Sequence, residues 1–299
     1  MKRILIAGAS GFIGTELTEF LETQNYVVFR LVRSEPKSQN EIFWNPQQQI
    51  LNASDLEGFD VFINLAGENI AAGRWTKVRK RKILESRILA TSLLTKVINQ
   101  LSAPPSLLIS ASAIGIYQKT QAEMALTESS PADSDFLAEV CKAWEATAKA
   151  INQSKTKVIL LRIAPVISLK GGMLSKLLPV FRFGLGATLG SGKQNFCWIG
   201  LNDLCRAILF IIDQQLSGPI NLSSPESISN LDFSKQLAHF LKRPCLFSIP
   251  KFVLYLIFGK EFSDQTLLSS QNVAPKKLLE AGFDFKTPKF LQALKASIN

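Results

Sequence analysis

Gly8-Ala9-Ser10-Gly11-Phe12-Ile13-Gly14 follows an apolar run, Ile4 to Ala7, and opens an amphipathic stretch that runs from Phe12 to Thr23. A strand that turns through glycines into a helix is the setting in which a dinucleotide is held. The first glycine suits a tight turn, the second lets the backbone approach a pyrophosphate, and the third lets helix and strand pack closely. The helix start then offers unpaired N–H groups to an anion. Gly8, Ser10, Gly11, Phe12, Ile13 and Gly14 are therefore the expected cofactor cradle, against the plainer reading of a purely structural turn.

Outward from this turn, short apolar runs alternate with longer helical ones. Val27 to Val32, Val61 to Leu65, Leu107 to Ile109 and Val158 to Leu161 are strand-sized and rich in β-branched residues. Such runs suit parallel strands buried on both faces. Val78 to Ile98 and Phe136 to Ile151 place apolar residues at helical steps between them. The alternation predicts an α/β fold with a doubly wound parallel, Rossmann-type sheet. Glu41 to Asn52, with Asn45-Pro46 and a glutamine run at its centre, reads as a small excursion or hairpin.

Beyond about residue 165 glycine and proline become frequent, and helical patterns return at Asp203 to Asp213, Ser229 to Leu241 and Pro275 to Ala281. The expected organisation is an NADP-binding Rossmann domain over 1–165 and a smaller, mainly helical substrate domain over 166–299. A strand near 219–222 is a candidate to rejoin the main sheet.

The chain has 299 residues, 46% of them hydrophobic and 19% charged, enough apolar surface for a substantial core and too little charge for a disordered chain. A net charge of +10 favours anionic partners without choosing among nucleotides, phosphorylated metabolites and nucleic acid. Cys141, Cys197, Cys205 and Cys245 show neither a disulfide framework nor a zinc spacing, which points to reduced thiols, a cytoplasmic setting and no metal. The single His239 removes most imidazole-based schemes. The apolar stretch Phe252 to Phe258 is far below the roughly 20 residues that span a bilayer, so a membrane partner is not expected.

The segment after the second strand bears on which nucleotide is bound. NAD calls for an acid on the ribose about 20 residues past the glycines, NADP for a cation on its 2'-phosphate. Arg33 holds that place and no acid occurs between Val27 and Ser34, which favours NADP; Glu35 is the alternative ribose ligand. Leu65, Ala66 and Gly67 end the third apolar run with small residues fit to lie against the cofactor, and Ser110 to Tyr117 put hydroxyls at the carboxyl edge of the sheet, where ligands bind in open α/β folds.

Taken together these residues resemble the short-chain dehydrogenase/reductase superfamily in its extended, sugar-nucleotide-epimerase-like branch. Asn64 to Glu68, Arg74 to Thr76, Glu85 to Ile88, Ser110 to Tyr117, Phe136 to Trp144, Leu185 to Gly192 with Trp198 and Asp203, and Pro275 to Phe283 narrow the likeness. They are similar to blocks of the atypical NADP-binding epimerase family proteins. The resemblance implies a substrate cleft between a Rossmann domain and a C-terminal domain. It also implies a Tyr/Lys dyad on one helix; counted from Glu145, those places hold Leu137 and Cys141, and the dyad is missing. Lys142 lies about 100° around the helix. Tyr117 and Ser112 remain as candidate proton-handling groups, with Ala113 at the ungapped position. Arg87 stands where extended members commonly carry Asn and is a candidate anion contact, and Gly200 stands where this subfamily usually shows His. The basic run Lys77, Arg79, Lys80, Arg81 and Lys82 spreads around a helix, which favours a solvated helix start over a nucleic-acid patch. The expected activity is an NADP(H)-dependent oxidoreductase or epimerase-like reaction on a small anionic metabolite; the competing class is a non-catalytic NADP(H)-binding redox-sensing module.

Overall fold

The structure, a computed structural model, describes residues 1–119 and 125–297. Six strands, β1 (Arg3–Ala7), β2 (Val27–Val32), β3 (Glu41–Phe43), β4 (Val61–Asn64), β5 (Leu107–Ala113) and β6 (Lys157–Ile163), join the Gly218–Leu222 strand in one sheet. Its order is β3-β2-β1-β4-β5-β6 followed by Gly218–Leu222, with every pairing parallel. The order reverses between β1 and β4, and in such sheets the crevice at that switch point takes the ligand.

The central strands β1, β4 and β5 bury both faces. Ile4 and Ile6 join one apolar cluster and Leu5 and Ala7 the other, because successive side chains of a strand point to opposite sides. Helices α1 (Phe12–Thr23) and α5 (Leu201–Asp213) cover the first face through Leu17, Leu21, Leu204 and Ile208. On the second face lie α2 (Lys77–Ile98) and α3 (Phe136–Ala148), through Ala90, Leu93, Leu94 and Ala148. Thr76 caps α2 by accepting from Arg79 N, and Asp135 caps α3 by accepting from Ala138 N.

Helix α5 and the Gly218–Leu222 strand complete the main sheet. The smaller body is built from α4 (Gly172–Arg182), α6 (Asn230–Phe240) and Phe290–Ala296, around Trp198, Phe233, Leu237 and Phe290. The expected excursion at 41–52 divides in two: Glu41–Phe43 is an edge strand, and Asn45 and Ile50 close a turn beneath it.

Candidate cofactor site and the buried network behind it

Gly8 ends β1 at φ +82, a conformation that side chains resist, and a Cβ there would stand 2.8 Å from the Leu65 carbonyl carbon and 2.9 Å from Ala66 N. The turn therefore lies directly against the end of β4, across the switch point. Gly14 is tighter still: its Cβ would meet Gly8 O at 2.2 Å. Gly11 would meet only Gly8 O, at 3.2 Å, and no side chain caps α1, so the first N–H groups of the helix are free for an anion. Ser10 and Gly11 are exposed at the turn, while the Phe12 ring seats Gly171 and Gly172, where a Cβ would stand 2.5 and 3.0 Å from it. Ile13 packs partly buried against the sheet core.

Arg33 is exposed just past β2, and Glu35 is exposed two residues on. The acid that feels the Arg33 charge comes after β4. Glu68, following Gly67, accepts from Arg79 Nη1 at 2.7 Å and lies 3.9 Å from Lys82 Nζ. The Arg79 hydrogen bond, outweighing partial burial, holds the Glu68 carboxyl below its ordinary range, and the Arg33 charge adds to this. Much of the basic run is paired in the same way: Lys80 with Glu261 at 2.7 Å and Arg81 with Glu85 at 3.7 Å.

Arg87 reaches from α2 under the same loop. Its Nη1 donates to Ile83 O at 2.9 Å and Glu68 O at 3.0 Å, and its guanidinium lies 5.0 Å from the centre of the Trp144 ring. Asn64 and Trp144 both donate to Thr91 Oγ1, at 2.8 and 2.9 Å, which ties the end of β4 to α2 and α3.

Ser112 and Tyr117 sit deeper than a proton donor in an open cleft would. The Ser112 hydroxyl donates to Glu145 Oε1 at 2.8 Å, and Glu145 takes Arg162 Nε and Nη2 in a two-point pair at 2.9 and 3.0 Å. Arg162 Nη1 continues to the Tyr117 oxygen at 2.8 Å, and that hydroxyl donates to Asn221 Oδ1 at 2.6 Å. Tyr117 is 0% exposed, and burial raises its pKa against the lowering influence of Arg162. Glu128 closes the far end, accepting from Asn221 N at 3.0 Å. The partners of Ser112 and Tyr117 lie on α3, β6 and the last sheet strand, so no local pattern around either residue announces them.

On α3, Leu137 packs by Gly115 and its N–H donates to Gln265 Oε1 at 3.2 Å. Cys141 is fully enclosed by Ser112, Ala113 and the helix, and burial pushes its thiol up to about 11. The side chain of Lys142 points outward to Glu139. Asp203, which the sequence offered only as part of a block, accepts from Lys286 N, Thr287 N and Thr287 Oγ1 and so anchors the segment before Phe290–Ala296. Gly200 lies against Thr287, which leaves no room for an imidazole there. A cavity of about 230 Å³ between α1, α5 and the chain end is lined by Glu16, Phe20, Lys170, Cys205 and Thr287 and by none of the expected cofactor residues.

Residues 4–223, the whole sheet with its helices, match the NAD dependent epimerase/dehydratase family, and 249–297 match a domain of unknown function. The epimerase family protein Mb2239 of Mycobacterium bovis is 38% identical over 283 residues, covering 94% of this chain and 93% of its own. The chloroplastic SDR39U1 homologue of Arabidopsis thaliana is 34% identical over 302 residues, covering 98% and 86%. The crystal structure of human epimerase family protein SDR39U1 with NADPH superposes with a TM-score of 0.91 at 30% identity over 99% of both chains. A likeness that runs through the glycine turn, the switch point and the C-terminal body alike makes the assignment: this chain belongs to the NAD dependent epimerase/dehydratase family.

Proposed function

We propose that the protein is an NADP(H)-dependent oxidoreductase or epimerase-like enzyme that acts on a small anionic metabolite. The observation that carries the cofactor choice is Arg33, an exposed cation just past β2. A 2'-phosphate fits that cation, whereas a bare ribose would call on Glu35, exposed two residues further from the strand end. The human relative crystallised with NADPH supports the same reading. Gly8, Gly11, Gly14 and the first amides of α1 would take the pyrophosphate, and Leu65, Ala66 and Gly67 would line the other wall of the crevice. When bound, the nicotinamide would supply or accept a hydride.

Ser112 and Tyr117, expected to handle a proton, are read here as members of the network that joins α3, β5, β6 and the last strand. Their hydroxyls already donate to Glu145 and Asn221. That observation, with Leu137 and Cys141 in the dyad positions, favours as the second reading a non-catalytic module that binds NADP(H) and reports its redox state. The free cysteines support a reducing, cytoplasmic setting, and the pairing of the basic run supports a small molecule rather than nucleic acid as partner.

Loss of NADPH absorbance over a panel of anionic carbonyl metabolites tests the proposal. Turnover of one of them establishes the enzyme, tight NADPH binding without turnover of any moves the assignment to the module, and absence of NADPH binding overturns both.

A further inference from the structure

We propose that Arg87 supplies the cation that α3 lacks, and that its guanidinium holds the nicotinamide-ribose half of the dinucleotide. The inference rests on the NADP(H) reading above. The lysine of the dyad that the family resemblance implies would stand on α3 at Cys141, which is a buried neutral thiol. Lys142 does not replace it, being turned outward onto Glu139. Arg87 comes instead from the neighbouring helix α2, with its guanidinium over the Trp144 ring of α3.

Its geometry is that of a fork fixed on one side and open on the other. Nη1 is held by two backbone carbonyls, Ile83 O and Glu68 O, and the plane rests on the Trp144 ring. Nη2 lies along Gly67: a Cβ at that glycine would be 3.3 Å from Nη2 and 3.1 Å from Cζ. Gly67 is exposed at the carboxyl end of β4, so a ligand lying over it meets the guanidinium directly. Among the described residues no carboxylate lies within ion-pair distance of Arg87, and no protein acceptor meets its Nε or Nη2. Nε and Nη2 therefore keep donor capacity on the ligand side, which a partner supplied by the cofactor would take up. Two parallel N–H donors suit a vicinal diol or a phosphate edge.

Calorimetry with two probes tests this: NADPH, and adenosine 2',5'-bisphosphate, which carries the Arg33 end of the cofactor but no nicotinamide ribose. Arg87→Met should weaken NADPH by about tenfold or more, the range of lost charge-assisted hydrogen bonds, and leave the bisphosphate within about twofold. Arg87→Lys should recover part of the NADPH affinity, and Arg87→Gln serves as a second neutral variant if the methionine form does not fold. Unchanged bisphosphate binding also reports that the variant is folded. Equal weakening of both probes assigns Arg87 a structural role and overturns the proposal, as does NADPH affinity equal to wild type. A wild-type protein that binds neither probe removes the NADP(H) reading itself, and this inference with it.

Discussion

Gly14 and Gly11 look alike in the sequence and differ in what surrounds them. A methyl group on Gly14 would meet backbone atoms at 2.2 and 2.7 Å that have nowhere to go, whereas on Gly11 it would meet one oxygen at 3.2 Å. Gly14→Ala should therefore cost about 1–3 kcal/mol or more in urea unfolding. Gly11→Ala should cost well under that and act on NADPH affinity instead. Equal stability losses would contradict this division of labour. Tyr117→Phe separates the two roles weighed for that phenol: with its hydroxyl enclosed, the loss should be about 1–3 kcal/mol of stability with NADPH affinity within a few-fold of wild type. A selective fall in turnover at unchanged stability would restore it as a proton donor. The glycine turn and Arg33 were legible in the sequence because their demands are local: a positive φ, a helix start, a charge at a strand end. Glu68 was not legible as an acid within reach of the Arg33 charge, since only the strand order sets the end of β4 on the same side of the sheet as β2.

At the level of elements, α3 is tied to β6 by Glu145 and Arg162, a two-point ion pair buried behind β5. Burial works against the Arg162 charge, yet the hydrogen bonds it donates to Glu145 and Tyr117 raise its pKa above the ordinary arginine value. Removing one partner leaves the other charge stranded, so Arg162→Met should cost about 3–5 kcal/mol. The double variant with Glu145→Gln should cost less than the sum of the single changes, a coupling that denaturation of the four proteins measures. Additive losses would mean that the pair is not a unit. Glu145 was read from the sequence as the characteristic acid of its helix, but its partner lies one strand further on, beyond the reach of periodicity. β3 escaped notice because a three-residue edge strand, Glu41-Ile42-Phe43, carries no alternating pattern long enough to read. α4 was obscured by Gly171, Gly172 and Pro179, which read as loop punctuation; the glycine pair is required by the Phe12 ring that packs on it.

Across the whole molecule, the sheet and the C-terminal body meet along a seam that includes the expected active-site edge. Trp75 stands edge-on between Phe136 and Phe262, Lys80 pairs with Glu261, and Gln271 donates to Ile114 O and Tyr117 O. Cys197 lies in the same seam, its sulfur accepting from Val273 N. Burial pushes the thiols of Cys141 and Cys197 up to about 11 and that of Cys205 up to about 12. Unfolded thiols titrate at about 8.5, so between roughly pH 9 and 11 the native state holds protons that the unfolded state has lost, and stability falls as pH rises. The urea midpoint should be level from pH 7 to 8 and drop at pH 10. A variant with alanine at all three positions should show a shallower drop, and an identical slope would assign the effect to other groups. The doubly wound sheet was legible from alternating strand and helix runs. A strand near 219–222 was legible as a candidate to rejoin that sheet, and Gly218–Leu222 pairs there with β6. The central claim, that the crevice between β1 and β4 is built for NADP(H), is tested most directly by calorimetric titration of the wild-type protein and Arg33→Ala with NADPH and NADH. The expected result is NADPH bound at least about tenfold tighter by wild type, with the difference erased in Arg33→Ala and NADH affinity nearly unchanged. Equal affinities in wild type, or a preference that survives loss of Arg33, would contradict it.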